Sequence, residues 1–194
     1  MARQINSGPS VASKTFAAIA VANAIKTSIA TVVGAQNYTG AALNGAIGQG
    51  QFGVPQNVSV TTTTFASTYS IGAANPIVFT GTNEQGQVIT ESLLLTATGG
   101  NETIFGTKAF ATVTGISVPA QLTTSGAFTF GVGDIVLETP CREIRAGAAG
   151  NVKVGYPDMT ATDTIPLVVA ERVTVAANRI YSTGTTALPV TIFL

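Results

Sequence analysis

Hydrophobic and polar residues alternate over short stretches of this chain, with a period near two. That period belongs to strands with one buried face. Gln56 is followed by NVSVTTTT from Asn57, a β-branched run. PIVFTG from Pro76 and VITESLLLT from Val88 flank TNEQGQ, in which Gly86 is free to take a positive φ. The three pieces predict a hairpin. Gly99, Gly100 and Asn101 predict the next turn. KAFATVTGISV from Lys108 then places Phe110, Thr112, Thr114, Ile116 and Val118 on one face of a strand. A further strand begins at Ala127 to Phe130, after a loop bounded by Pro119, Ser125 and Gly126.

A boundary is expected at Thr139, Pro140 and Cys141. Short strands follow at regular pitch: 142–146, 151–155, 165–169, 172–176, 179–182 and 189–194. Such spacing argues a sandwich or barrel. The last strand puts Val190, Ile192 and Leu194 on one face. A face that apolar needs a partner, in its own sheet or on a neighbour. The N-terminal third reads less plainly. Gly8 and Pro9 oppose helix, so residues 1–12 are expected as an extended arm. Between 13 and 33 Ala favours helix, while Thr, Val and Ile favour strand. The balance predicts strands with a turn near Ala22 and Asn23. The glycines between 34 and 57 predict loops holding short strands. The expected fold is therefore all-β. A β-sandwich module of jelly-roll or immunoglobulin-like type (13–138) is followed by a smaller β module (139–194), with the arm (1–12) in front.

Composition narrows the function. Only 9% of residues are charged, against about 25% in an average soluble protein. Nine basic and nine acidic residues cancel. A neutral surface favours association, which suits a subunit of an assembly. The charges are uneven: Arg3, Lys14 and Lys26 precede the first acid, Glu84. These three are the candidate docking residues for an acidic partner surface. They are too few for a nucleic-acid stripe. The 16–33 segment is nearly long enough to span a bilayer, but Asn23 and Lys26 near its middle disfavour that. No basic region precedes it as in a secretory signal. Neither a nucleic-acid nor a membrane partner is expected.

Histidine is absent, which removes Ser–His and Cys–His catalysis. The single Cys141 can form no internal disulfide or metal cluster, and is expected as a small buried residue at the boundary. The carboxylates Glu84, Glu91, Glu102, Asp134, Glu138, Glu143, Asp158, Asp163 and Glu171 lie mostly in or beside turns, where solvation is expected. Arg142, Glu143 and Arg145 are expected to form a surface ion cluster. The GAAG piece at 147–150 lacks the lysine of a phosphate loop and links two strands. No catalytic residue, metal or cofactor is expected.

Two stretches carry a resemblance. VFTGTNEQGQVITE from Val78, with GTKAFATVTGI from Gly106, is similar to a β-sandwich module of tailed-phage structural proteins. There a "TGTD-x-x-G-x-x-ITE" hairpin precedes a "TKxFKTVTSI" strand. AALNGA from Ala41 and PQNVSV from Pro55 resemble that module's upstream "LTLNGA" and "PRRVTVT" elements. EIRAGAAGNVKV from Glu143 and NRIYSTGTTA from Asn178 resemble the spike-base proteins of phages and gene transfer agents. Asn83 stands where the phage module has Asp, and Leu188 and Pro189 interrupt the approach to the final strand.

The resemblance implies a virion protein assembled in the host cytoplasm and displayed on the particle surface. It would be a head decoration (cement) protein or the base of a head spike or fibre. Its partners would be the major capsid protein, other virion proteins, and copies of itself as a trimer or pentamer. A tail, baseplate or tail-fibre attachment protein is the alternative. A carbohydrate-binding module on the virion is the second. Aromatics are 7% and Trp is absent, so neither glycan binding nor sugar release is expected.

Overall fold

The structure, a computed structural model, describes residues 13–16, 21–30, 34–43, 54–63, 75–95, 101–120, 126–157 and 162–194. The expected arm with Arg3, the loop at 44–53, Gly99 and Gly100, and Asp158 lie outside them. The described chain is all-β. Its strands are β1 (Ser13–Phe16), β2 (Val21–Ala30), β3 (Gln36–Thr39), β4 (Gln56–Thr63), β5 (Ile77–Thr82), β6 (Val88–Leu93), β7 (Thr103–Phe105), β8 (Thr112–Val118) and β9 (Ala127–Val136). There follow β10 (Glu143–Ala146), β11 (Gly150–Gly155), β12 (Thr162–Leu167), β13 (Arg172–Thr174), β14 (Arg179–Ile180) and β15 (Val190–Phe193). Among the described residues one 3₁₀ turn, Gly40–Ala42, is the only helical element.

Three antiparallel sheets form two cores. The central sheet runs β12-β11-β14-β9-β4-β7, with β2 also on β9. A second sheet, β3-β8-β5-β6, covers one end of it. Between them lie Phe79, Phe110, Phe128, Phe130, Val58, Val60, Val113, Ile116 and Ile25. A third sheet, β1-β15-β10-β13, covers the other end. There the core is Phe16, Ile135, Ile144, Val152, Val154, Ile180, Val190 and Ile192. The apolar C-terminal strand finds its partners within the chain, since β15 lies between β1 and β10.

β9 serves both cores. Phe128, Phe130 and Val132 face the first, and Ile135 joins the second. The step from Val132 to Ile135 breaks the two-residue period. The register against β4 shifts there, from Val58↔Val132 to Gln56↔Ile135. A β-bulge has this effect: one extra residue re-aims everything beyond it.

Bulges also explain where expectation and structure part. No turn falls at Ala22 and Asn23; β2 runs straight through them. Two register shifts against β9, around Lys26, blur its alternation. In β8 the pairs Thr80↔Gly115 and Gly81↔Val113 leave Thr114 as the extra residue. The inward set is therefore Phe110, Val113, Ile116 and Val118, and Thr112 and Thr114 turn outward. β12 ends at Leu167, earlier than expected. Val168 and Val169 stand exposed in a turn that has Ala170 at φ +64°.

The expected hairpin forms as read. β5 and β6 pair in unbroken register from Ile77↔Leu93 to Thr82↔Val88. Gly86 takes φ +77° in its turn, and the Asn83 side chain closes it by accepting from Gln87 N at 2.9 Å. The abundant threonines pair across strands. Thr15 with Thr191 (2.7 Å), Thr61 with Thr103 (3.0 Å) and Thr82 with Thr112 (2.6 Å) join hydroxyls of directly opposed residues. Such pairs tie strands without charge, each contributing about 0.2–1 kcal/mol.

Candidate functional site

Two of the three candidate docking residues are described. Lys14 projects from β1 in the third sheet, and its Nζ lies 3.9 Å from Glu84 in the β5–β6 turn. Lys26 belongs to β2 on the central sheet, and its Nζ sits 5.1 Å above the Tyr38 ring. The two are thus on different sheets with different partners. Arg3 lies outside the described residues. The Lys14–Glu84 pair ties the third sheet to the second, across the line between the cores.

Among the described residues two carboxylates are buried, Glu91 and Asp134. Both depart from the expectation of solvated turn residues. Glu91 faces inward from β6 because it is the opposite number of Phe79. Its Oε1 accepts from Thr107 N (2.6 Å), Thr107 Oγ1 (3.0 Å) and Lys108 N (3.2 Å). Lys108 Nζ donates to Thr90 O at 2.6 Å. Gly106 lies so close to the carboxylate that any side chain there would collide with it. Glu91 and the Gly106-Thr107-Lys108 piece thereby clamp the β7–β8 connection onto β6. Gly106 O in turn accepts from Asn57 Nδ2 at 2.8 Å, which holds the clamp to the central sheet.

Asp134 sits at the β9 bulge. Its Oδ2 accepts from Arg179 Nε (3.0 Å) and lies 2.9 Å from Arg179 Nη2. Its Oδ1 accepts from Ser182 N (2.8 Å) and Ser182 Oγ (2.9 Å). All four bonds reach the Asn178-to-Ser182 piece of the second motif. The guanidinium of Arg179 also lies 5.1 Å from the Tyr181 ring, with Lys153 Nζ 5.3 Å from the same ring. A carboxylate with both oxygens taken by fixed donors is a strand tie. It lacks the free lone pair that a general base presents to substrate.

The expected Arg142–Glu143–Arg145 cluster is not what forms. Glu143 pairs with Arg172 at 3.1 Å, and that guanidinium stacks 4.8 Å from the Phe193 ring. Arg145 stands opposite Arg172 in the β10–β13 register, so the strand pairing places like charges together and Glu143 offsets them. The GAAG piece links β10 to β11 as read. Cys141 is buried, and burial pushes its thiol above the ordinary thiol range. A protonated buried thiol is a poor nucleophile. No three His, Cys, Asp or Glu side chains among the described residues converge to hold a metal ion. Among those residues no helix is long and apolar enough to cross a membrane.

The sheet edges are the remaining feature. β7 and β13 are three residues long. β12 carries Pro166, which donates no ladder hydrogen bond. β6 has one carbonyl taken by Lys108, with Val88 and Leu94 exposed at its two ends. β1 and β3 are four-residue edges. Phe105 on β7 is half-exposed. Short or blunted edges prevent indiscriminate pairing. Val88, Leu94, Phe105, Val168 and Val169 are large apolar residues exposed beside them. No protein-family model, curated protein or solved structure matches the chain.

Proposed function

We propose that this chain is a non-enzymatic structural subunit on the surface of a tailed-phage particle, a head decoration protein or the base of a head spike or fibre. The observation that carries the structural half of this reading is the use made of the buried carboxylates. Glu91 and Asp134 are each held by donors from the protein itself: Glu91 ties the two pieces of the first motif to each other, and Asp134 ties β9 to the 178–187 piece of the second. The phage half rests on the resemblance of those same stretches, 78–91 with 106–116, and 143–154 with 178–187. The neutral, Thr-rich surface and the exposed Val88, Leu94, Phe105, Val168 and Val169 support binding to other protein surfaces. Affinity shared over many copies then suffices for firm attachment. The partners in this reading are the major capsid protein, other virion proteins and further copies of the chain, in trimers or pentamers. Neither nucleic acid nor membrane is a partner.

Co-sedimentation with the phage heads is the test. Purified chain is expected to pellet with heads and not with tails, and to saturate at a fixed copy number per head. Binding to isolated tails alone would favour the tail or baseplate reading. Binding to neither would remove both.

A further inference from the structure

A groove of about 250 Å³ crosses the outer face of the second sheet. Asn37 and Thr39 of β3, Thr80 of β5, and Thr114, Gly115, Ile116 and Ser117 of β8 line it. Not one of its lining residues is charged. Asn37, Thr39 and Ser117 are exposed. Their side chains, and that of Thr80, have no hydrogen-bond partner among the described residues, whereas Thr114 Oγ1 donates to Thr80 O at 3.3 Å. The groove therefore offers several neutral groups that both donate and accept.

Gly115 lies at its centre, where neither the backbone angle nor crowding requires a glycine. Its φ is not in the left-handed region, so the bulge beside it does not require glycine. An added Cβ would meet Thr39 Cγ2 at 3.6 Å, Tyr38 O at 3.7 Å and Thr80 Cβ at 3.9 Å, all ordinary contacts. Glycine inside a strand weakens it through backbone entropy, and otherwise marks a place where a ligand or another backbone comes close. Here the missing side chain is what opens the groove.

We propose that this groove binds a neutral saccharide, one sugar ring lying with a C–H face over Gly115 and its hydroxyls on Asn37, Thr39, Thr80 and Ser117. The volume falls just below the ~300 Å³ at which ordinary small-molecule pockets begin, so it fits one ring and not a chain. An ionic ligand would find no counter-charge. An apolar one would bury hydroxyls without partners, which is costly. The site works through hydroxyls and an amide, not aromatic stacking, so the scarcity of aromatics does not argue against it. Binding at a single site is weak, and holds whether or not the chain sits on a particle.

The test is a titration of the ¹⁵N-labelled full chain with methyl glucoside, methyl galactoside and N-acetylglucosamine, followed by amide chemical shifts. At least one sugar is expected to give saturable shifts confined to residues 37–39, 80 and 114–117. Gly115→Val fills the groove and is expected to weaken binding at least ~10-fold with a melting temperature no lower than the wild type's. Asn37→Ala, on an exposed edge position, is expected to weaken it without touching Gly115. The proposal is overturned if no sugar moves these resonances, or if Gly115→Val binds as the wild type does. It is equally overturned if the groove resonances respond to protein concentration and not to sugar, which would make the face a contact between copies.

Discussion

The two cores share one central sheet but are held in different ways. The first is aromatic: Phe79, Phe110, Phe128 and Phe130 are fully buried, and Phe79 meets Phe130 edge to face at 5.9 Å. The second has Phe16 at its margin and otherwise Ile, Val, Leu, Ala and Cys141. Around it cluster the cation–ring contacts Arg172–Phe193, Arg179–Tyr181 and Lys153–Tyr181, and the Asp134–Arg179 pair. Large rings bring much apolar area per residue. Smaller side chains bury less, and polar ties at the margin add the rest. The comparison teaches that most of this chain's charged contacts gather around its less aromatic core, while Glu91 and Lys26 serve the aromatic one.

This contrast can be broken experimentally. Phe130→Ala should cost about 3–5 kcal/mol, the usual range for an aromatic removed from a packed core, read from urea unfolding. Ile192→Val in the second core should cost only about 0.5–1.5 kcal/mol. Equal losses would erase the distinction. Because β9 passes through both cores, calorimetry of the wild type should show one transition. Two separated transitions would mean that the bulge at Asp134 uncouples the halves.

Asp134→Ala leaves the Arg179 guanidinium without its carboxylate and should cost about 2–3 kcal/mol. A double-mutant cycle with Arg179→Ala should show coupling above about 0.5 kcal/mol. Glu91→Gln keeps an acceptor but loses the charge, and should cost about 1 kcal/mol. Its sharper signature is faster hydrogen exchange at the Thr107 and Lys108 amides. Lys14→Ala removes a longer, partly exposed pair, and should change stability by less than about 0.5 kcal/mol.

The smallest effect is a pH dependence. Burial raises the Cys141 thiol, so the folded state binds its proton more tightly than the unfolded one. This stability is fully present below the unfolded thiol value and is lost as pH rises through the folded one. Cys141→Ala should remove that component from an alkaline stability profile. An identical profile would show that the thiol is not felt.

How far the sequence could be read followed from locality. The β5–β6 hairpin was legible because Asn83, Gly86 and Gln87 carry the turn within a few residues. The all-β class followed from alternation and turn spacing. β2 and β8 were misread in detail because bulges shift phase, and a bulge depends on the partner strand. Glu91 and Asp134 were expected in solvent, and their burial was illegible for a related reason. Their donors lie 16 and 45 residues away at Thr107 and Arg179, so no local pattern announces them. The groove was illegible too, since its lining comes from β3, β5 and β8. Its one local sign was a glycine in the middle of a Thr- and Val-rich strand.

The role proposed for these strands is assembly on a phage head and not turnover. Immunogold labelling of phage particles produced together with the chain tests that proposal most directly. Gold on the head surface, at a regular number per particle, is the predicted result. Particles that stay unlabelled, with the chain found only free in the lysate, would contradict it.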